Sequence, residues 1–170
     1  MNWQGKLLLL GIIGLMPVAS LQSAEVGQPL SKCSLSKFSN SQQLLELNQF
    51  AGKVLYLDFW ASWCPPCAKS FPFLNELHQS YHRDGLQVIG INLDEEPGEA
   101  EKFLVEHPAE FTIASDPTKQ CIKSLGVTAM PSSYLIDRNG IIRHIHLGFR
   151  AGETEELREK AKQLLAEPVL

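Results

Sequence analysis

The sequence predicts an α/β fold, a mixed central sheet flanked by helices on both faces. Three observations carry that reading. Residues 54–60 and 86–93 are near-continuous apolar runs, the pattern of strands buried on both faces of a sheet. A helical pattern follows each run. Near the C-terminus, Arg138-Asn139-Gly140 separates two further strand-like runs as a hairpin signal, ahead of a last amphipathic helix.

The elements follow in order. Residues 21–32 are small and polar, include Pro29, and read as a linker. Residues 41–50 carry Leu44, Leu45 and Leu47 and read as a short helix. The strand 54–60 comes next. A helix is expected from Pro65 to about Arg83, ended by Asp84-Gly85 and kinked at Pro72. After the strand 86–93, residues 99–106 form a helix closed by His107-Pro108, and 111–113 a short strand. Asp116-Pro117 opens a helix through Cys121 to Leu125 that Gly126 stops. Strands at 133–137 and 141–147 flank the hairpin turn. The final helix, 154–165, aligns Leu157, Ala161, Leu164 and Leu165 on one face.

A chain of 170 residues, 44% hydrophobic and 20% charged, has the composition of one globular domain. Its net charge of −4 is spread through the chain, and no Lys/Arg-rich stretch is present to neutralise phosphates, which argues against a nucleic-acid partner. Nothing in the pattern calls for oligomerisation, so a monomer is expected. At the N-terminus, Lys6 precedes an apolar run at 7–18 and a small-x-small site, Val18-Ala19-Ser20. That run is shorter than the roughly 20 residues of a membrane span and reads as a signal peptide over 1–20, with an uncleaved membrane anchor as the alternative. The division expected is a signal peptide or anchor at 1–20, a linker at 21–32 and one domain at 33–168. Lys32 before Cys33 does not fit a lipoprotein site. Export to the periplasm is therefore expected.

Two of the four cysteines lie in Cys64-Pro65-Pro66-Cys67. Closing so small a loop removes little unfolded-state entropy, so the pair makes a poor structural staple. It suits disulfide exchange, which needs a reactive thiolate and a nearby thiol to resolve the mixed disulfide. A helix N-terminus lowers the first thiol's pKa through free N–H groups and the helix dipole. Cys64 is accordingly the expected nucleophile and Cys67 the resolving residue. Pro65 and Pro66 fit the first helical turn, where missing donors matter least. Half of a zinc site is the rival reading, but it needs a second ligand pair. His78 with His82, or His144 with His146, would have to supply it, and solvated helix and strand faces explain those pairs more simply. No metal and no cofactor are expected. Copper(I) held by Cys64 and Cys67 alone stays open as a minority alternative.

The segment Asp58-Phe59-Trp60-Ala61-Ser62-Trp63-Cys64-Pro65-Pro66-Cys67 resembles the active-site segment of the thioredoxin superfamily, in particular its TlpA/ResA/CcmG (DsbE) branch. Residues 126–140, Gly-Val-Thr-Ala-Met-Pro-Ser-Ser-Tyr-Leu-Ile-Asp-Arg-Asn-Gly, resemble the second hallmark of that family. The resemblance runs from about Cys33 to the C-terminus. It implies a thioredoxin-like fold whose extra helix-and-strand insertion matches residues 92–114, and a protein-disulfide reductase activity. It makes Pro131 the match to the family's cis-proline and Met130 a substrate contact. Trp63, Pro65 and Pro66 join them around the substrate, and Trp60 walls the site or packs in the core. Asp58 matches a buried acid that would take the proton of Cys67, with a structural strand-end acid as its bland alternative. Asp94, Glu95 and Glu96 stand where some relatives carry an acid near the site; spacing does not choose among them, and a solvated acidic loop is the preferred reading. Oxidised exported proteins, with apocytochrome c as one client, and a membrane electron donor of the DsbD/CcdA type are the implied partners. A disulfide oxidase or isomerase on the same fold, and a copper or zinc chaperone, are the competing functions. Cys121 lies on the apolar side of its helix and is expected to be a buried, inert thiol, with Cys33 likewise free and a Cys33–Cys121 disulfide as the alternative.

Overall fold

The computed structural model describes residues 24–32 and 34–168; the expected signal segment and Cys33 lie outside them. Among the described residues one sheet of seven strands forms, in the order β2-β1-β5-β4-β3-β6-β7. Its strands are β1 (Ser34–Lys37), β2 (Asn40–Glu46), β3 (Val54–Trp60), β4 (Leu86–Asn92), β5 (Thr112–Ser115), β6 (Ser132–Ile136) and β7 (Ile142–Leu147). The helices are α1 (Pro65–Tyr81), α2 (Pro97–Glu106), α3 (Gln120–Ser124) and α4 (Thr154–Ala166). β3, β4 and β5 pair in parallel, while β6 and β7 add antiparallel to β3. The sheet is therefore mixed and carries helices on both faces, as the alternation of apolar runs and helical patterns requires.

β3 is buried at every position, which is why its sequence shows no alternation. Val54, Tyr56 and Trp60 face α1, α2 and α4, whereas Leu55, Leu57 and Phe59 face α3 and the Leu47–Phe50 turn. On the first side Trp60 packs edge-to-face against Phe71 and at a tilt against Phe103, at ring separations of 5.1 and 4.9 Å. α1 ends in a single 3-10 turn, His82–Asp84, and Gly85 leaves it with φ of 103°, a conformation that only glycine takes without strain. The insertion at 92–114 is α2 with the start of β5, and β5 lies between β4 and β1.

Two expectations are corrected. Residues 41–50 are not a helix: 40–46 form β2, and only the last turn, Leu47–Phe50, is 3-10. Leu45 is buried because it opposes Leu35 of β1, while Leu44 points to solvent with 62% exposure. Cys121 is not a free thiol but disulfide-bonded, and its partner lies outside the described residues. Its burial on α3 hides it from solvent without leaving it reduced. Within the stretch read as a linker, Gly27, Gln28 and Leu30 exchange backbone hydrogen bonds with Gly140 and Ile142.

Gly90 on β4 is a packing requirement. A Cβ there would lie 2.9 Å from a Phe111 ring carbon and 3.2 Å from Trp60 Nε1. Gly90→Ala should lower stability by about 1–3 kcal/mol through overpacking, read as a lower urea midpoint at unchanged m-value. An unchanged midpoint would contradict this account of the Trp60 cluster.

Candidate active site

The loop after β3 delivers Cys64 to the N-cap of α1. Its backbone is extended, with φ of −104° and ψ of 96°, and its Sγ accepts a hydrogen bond from the Cys67 backbone N–H at 3.3 Å. Pro65 and Pro66 occupy the first helical positions and leave that N–H as the donor nearest the sulfur. The same geometry would stabilise a Cys64 thiolate through the helix terminus. Cys64 and Cys67 are joined as a disulfide, with an S–S distance of 2.02 Å. Cys64 lines a surface cleft of about 380 Å³, whereas Cys67 is fully buried below it. Both residues are buried, Cys64 at 4% exposure and Cys67 at 0%, and only Cys64 borders the cleft.

Trp63, Pro65, Pro66 and Met130 line the same cleft, joined by Ile122 of α3 and by Val127, Thr128 and Ala129. Trp63 is 66% exposed and forms an open apolar wall. The Met130–Pro131 peptide bond is cis, and Ser132 Oγ bonds Ala129 O at 2.6 Å across that turn. Trp60, by contrast, is wholly buried with Phe71 and Phe103 and belongs to the core. Sequence reasoning missed Ile122. Its only signal was its place beside Cys121, and the packing of α3 over the loop was needed to find it.

Of the three acids after β4, the structure singles out Asp94. Its carboxylate accepts from the Ser62 backbone N–H at 2.9 Å, from Ser62 Oγ at 2.9 Å and from Asn92 Nδ2 at 2.7 Å. It thereby ties the loop leading to Cys64 to the end of β4. Glu95 instead pairs with Lys119 at 2.7 Å on the surface.

Asp58 lies on β3, on the side-chain face of Tyr56 and Trp60, which belong to the same core cluster as Cys67. It is fully buried, and Oδ1 accepts a hydrogen bond from Ser133 Oγ at 2.6 Å. Burial raises its pKa to about 7, against a smaller lowering by the Ser133 hydrogen bond. The Tyr56 hydroxyl is also pushed up, by burial first and by the nearby Asp58 second. Elsewhere, His78 and His82 stack at 5.0 Å, and His146 Nε2 lies 3.1 Å from Glu153 Oε2. Among the described residues no three His, Cys, Asp or Glu side chains gather as a metal site.

The Redoxin family model matches residues 25–164. This chain belongs to that family. It is 38% identical over 96 residues to the thiol-disulfide oxidoreductase ResA of Bacillus thuringiensis subsp. konkukian, covering 56% of each chain. The ResA of Geobacillus thermodenitrificans is 34% identical over 102 residues, covering 60% of this chain and 59% of that one. The matched region thus spans little more than half the length of these curated relatives. Among solved structures, a candidate thiol:disulfide interchange protein DsbE from Chlorobium tepidum superposes with a TM-score of 0.79 at 42% identity, over 85% of this chain and all of that one. The thioredoxin domain of a Bacteroides vulgatus thiol-disulfide oxidoreductase, at 20% identity and a TM-score of 0.74, shares the fold. The Redoxin-type fold and the ResA/DsbE branch expected from the two sequence segments are the ones found.

The raised pKa of Asp58 has a consequence for stability. Between about pH 4 and pH 7 the folded protein holds a proton that the unfolded chain has released, so this residue's contribution falls as pH rises through that window. Its ionisation should cost on the order of 4 kcal/mol above pH 7. In the oxidised protein, Asp58→Asn should remove that decline, so that the variant gains on the wild type as pH rises in urea-unfolding series. Parallel curves for the two proteins would contradict a desolvated carboxyl.

Proposed function

We propose that this protein is a thiol–disulfide oxidoreductase that reduces disulfides in exported proteins through Cys64 and Cys67. The observation that carries the reading is the cysteine pair itself: Cys64 caps α1 and lines a cleft with Trp63 and Met130, while Cys67, its disulfide partner, is fully buried. The ResA and DsbE likenesses support the same activity.

In this mechanism the Cys64 thiolate attacks one sulfur of a substrate disulfide, and the other substrate sulfur leaves as a thiolate and is protonated by water. A mixed disulfide remains. Asp58, as carboxylate, takes the proton of Cys67, whose thiolate then attacks Cys64 Sγ. The enzyme–substrate S–S bond breaks, the Cys64–Cys67 disulfide forms, and the second substrate thiolate leaves to be protonated by water. The substrate has gained two electrons and the cysteine pair has lost two. An acid whose pKa lies at about 7 is matched to this proton transfer near neutral pH. Met130, Pro131, Trp63, Pro65 and Pro66 hold the substrate segment, Met130 and Trp63 through apolar contact and the cis-proline loop through its backbone.

An exported reductant needs electrons from outside its compartment, and a membrane donor of the DsbD/CcdA type fits that need. Apocytochrome c before haem attachment is one client proposed, alongside other oxidised exported proteins. We place the domain at 33–168, behind a 1–20 signal peptide or anchor and a 21–32 linker, on the periplasmic side of the membrane. Among the described residues no helix is long and apolar enough to cross a membrane.

Cys64→Ser should reduce insulin-disulfide turnover to the uncatalysed background. Cys67→Ser should instead accumulate mixed disulfides, visible on non-reducing gels as adducts that dithiothreitol removes. Turnover retained in Cys64→Ser would end this mechanism.

A further inference from the structure

Every residue of β6 is buried, which obliges its two serines to find partners away from water. Ser132 uses its hydroxyl to close the cis-proline turn onto Ala129 O. Ser133 projects to the opposite face. There it stands directly across from Asp58 in the β3–β6 register and donates to Oδ1 at 2.6 Å. Asp58 Oδ2 is equally buried and has no hydrogen-bond partner among the described residues. The two oxygens of the acid are therefore inequivalent: one is held, and the other is left available.

Two hydroxyls stand at the acid, that of Ser133, which donates to Oδ1, and that of Tyr56, which lies close to Asp58 and hydrogen-bonds with Ser133. On β3 the same face carries Tyr56 and Trp60, and α1 brings Cys67. On β4 the partner of Asp58 is Gly90, which has no side chain to offer. Beyond Ser133, β7 contributes His146, its cross-strand partner, which turns to Glu153 at 3.1 Å, and Arg150 pairs with Glu153 from further out.

We propose that Ser133 is a positioning residue for disulfide resolution, fixing Oδ1 of Asp58 so that Oδ2 is the oxygen that exchanges a proton with Cys67. This rests on the reading of Asp58 as the acid–base group. In the resolving step the Cys67 proton moves to Oδ2, the Cys67–Cys64 bond forms, the Cys64–substrate bond breaks, and the substrate thiolate is protonated by water. Because the Ser133 hydroxyl donates, it favours the carboxylate over the acid. It thus holds the proton affinity of Asp58 below the level that burial alone would set.

The test is the pH profile of mixed-disulfide resolution in single turnover, together with titration of Asp58 by carboxyl carbon NMR, in wild type, Ser133→Ala, Ser133→Thr and Asp58→Asn. Ser133→Ala should move both inflections upward by about 1–2 pH units, since it removes a donor to a charged group. Ser133→Thr, which keeps a hydroxyl, should leave them close to wild type. Asp58→Asn should abolish the kinetic inflection. If Asp58→Asn abolishes it but Ser133→Ala does not move it, the role of Ser133 is overturned while the reading of Asp58 stands. An equal shift in Ser133→Thr and Ser133→Ala would also overturn it, because packing rather than the donor would be responsible. Should the inflection survive in Asp58→Asn, the acid–base reading fails and the inference with it.

Discussion

The antiparallel pairing of β3 with β6 sets the site. One end of that pair delivers the chain to Cys64, and the same end receives it from the cis Met130–Pro131 turn. The register that opposes Phe59 to Ser132 and Asp58 to Ser133 therefore does two things at once. It brings the cis-proline loop against the N-terminus of α1, forming the cleft, and it seats a hydroxyl on the only acid of β3. A slip of one residue would turn Ser133 to the other face and set Ser132 or Tyr134 across from Asp58 instead. The parallel partner on the far side, β4, contributes the close-packed Gly90 and the Asp94 anchor that ties down Ser62.

Burial works in opposite directions on the groups it encloses. For Trp60, Phe71 and Phe103 it stabilises the fold through apolar area and ring contacts. For Asp58 it penalises the charged form, which raises the carboxyl's pKa from the usual 3.8 to about 7. A residue of that kind weakens the protein at neutral pH, and a hydrophobic replacement of similar size would avoid the penalty. In the mechanism proposed for Cys67 that penalty has a chemical use, because a carboxyl whose pKa lies near neutrality can both take and return a thiol proton. The helix terminus acts on Cys64 in the opposite sense, favouring the anion at the sulfur proposed to meet substrate.

The parts of the fold legible in the sequence are those fixed by local pattern. β3 and β4 were visible as unbroken apolar runs, and α1 by Pro65-Pro66 at its start and Gly85 after its end. β2 was not, because Leu44, Leu45 and Leu47 satisfy a helical spacing as well as an extended one. The contact that decides, Leu45 against Leu35 of β1, is tertiary. The cleft residues Trp63, Pro65, Pro66 and Met130, and the cis-proline Pro131 beside them in sequence, were legible because two short segments carry them. The choice of Asp94 over its neighbours depended on Ser62, 32 residues earlier, and the partner of Asp58 on a residue 75 positions later. The state of Cys121 was equally out of reach, since helical spacing reports burial and says nothing of a distant sulfur.

The central claim is that Cys64 and Cys67 act as a reductant, and the reduction potential of the pair tests it most directly. Equilibrating the protein against defined thiol–disulfide buffers should give a value near that of thioredoxin, about −270 mV. A value close to that of DsbA, about −120 mV, would make the pair an oxidant and contradict the direction of electron flow on which the account depends.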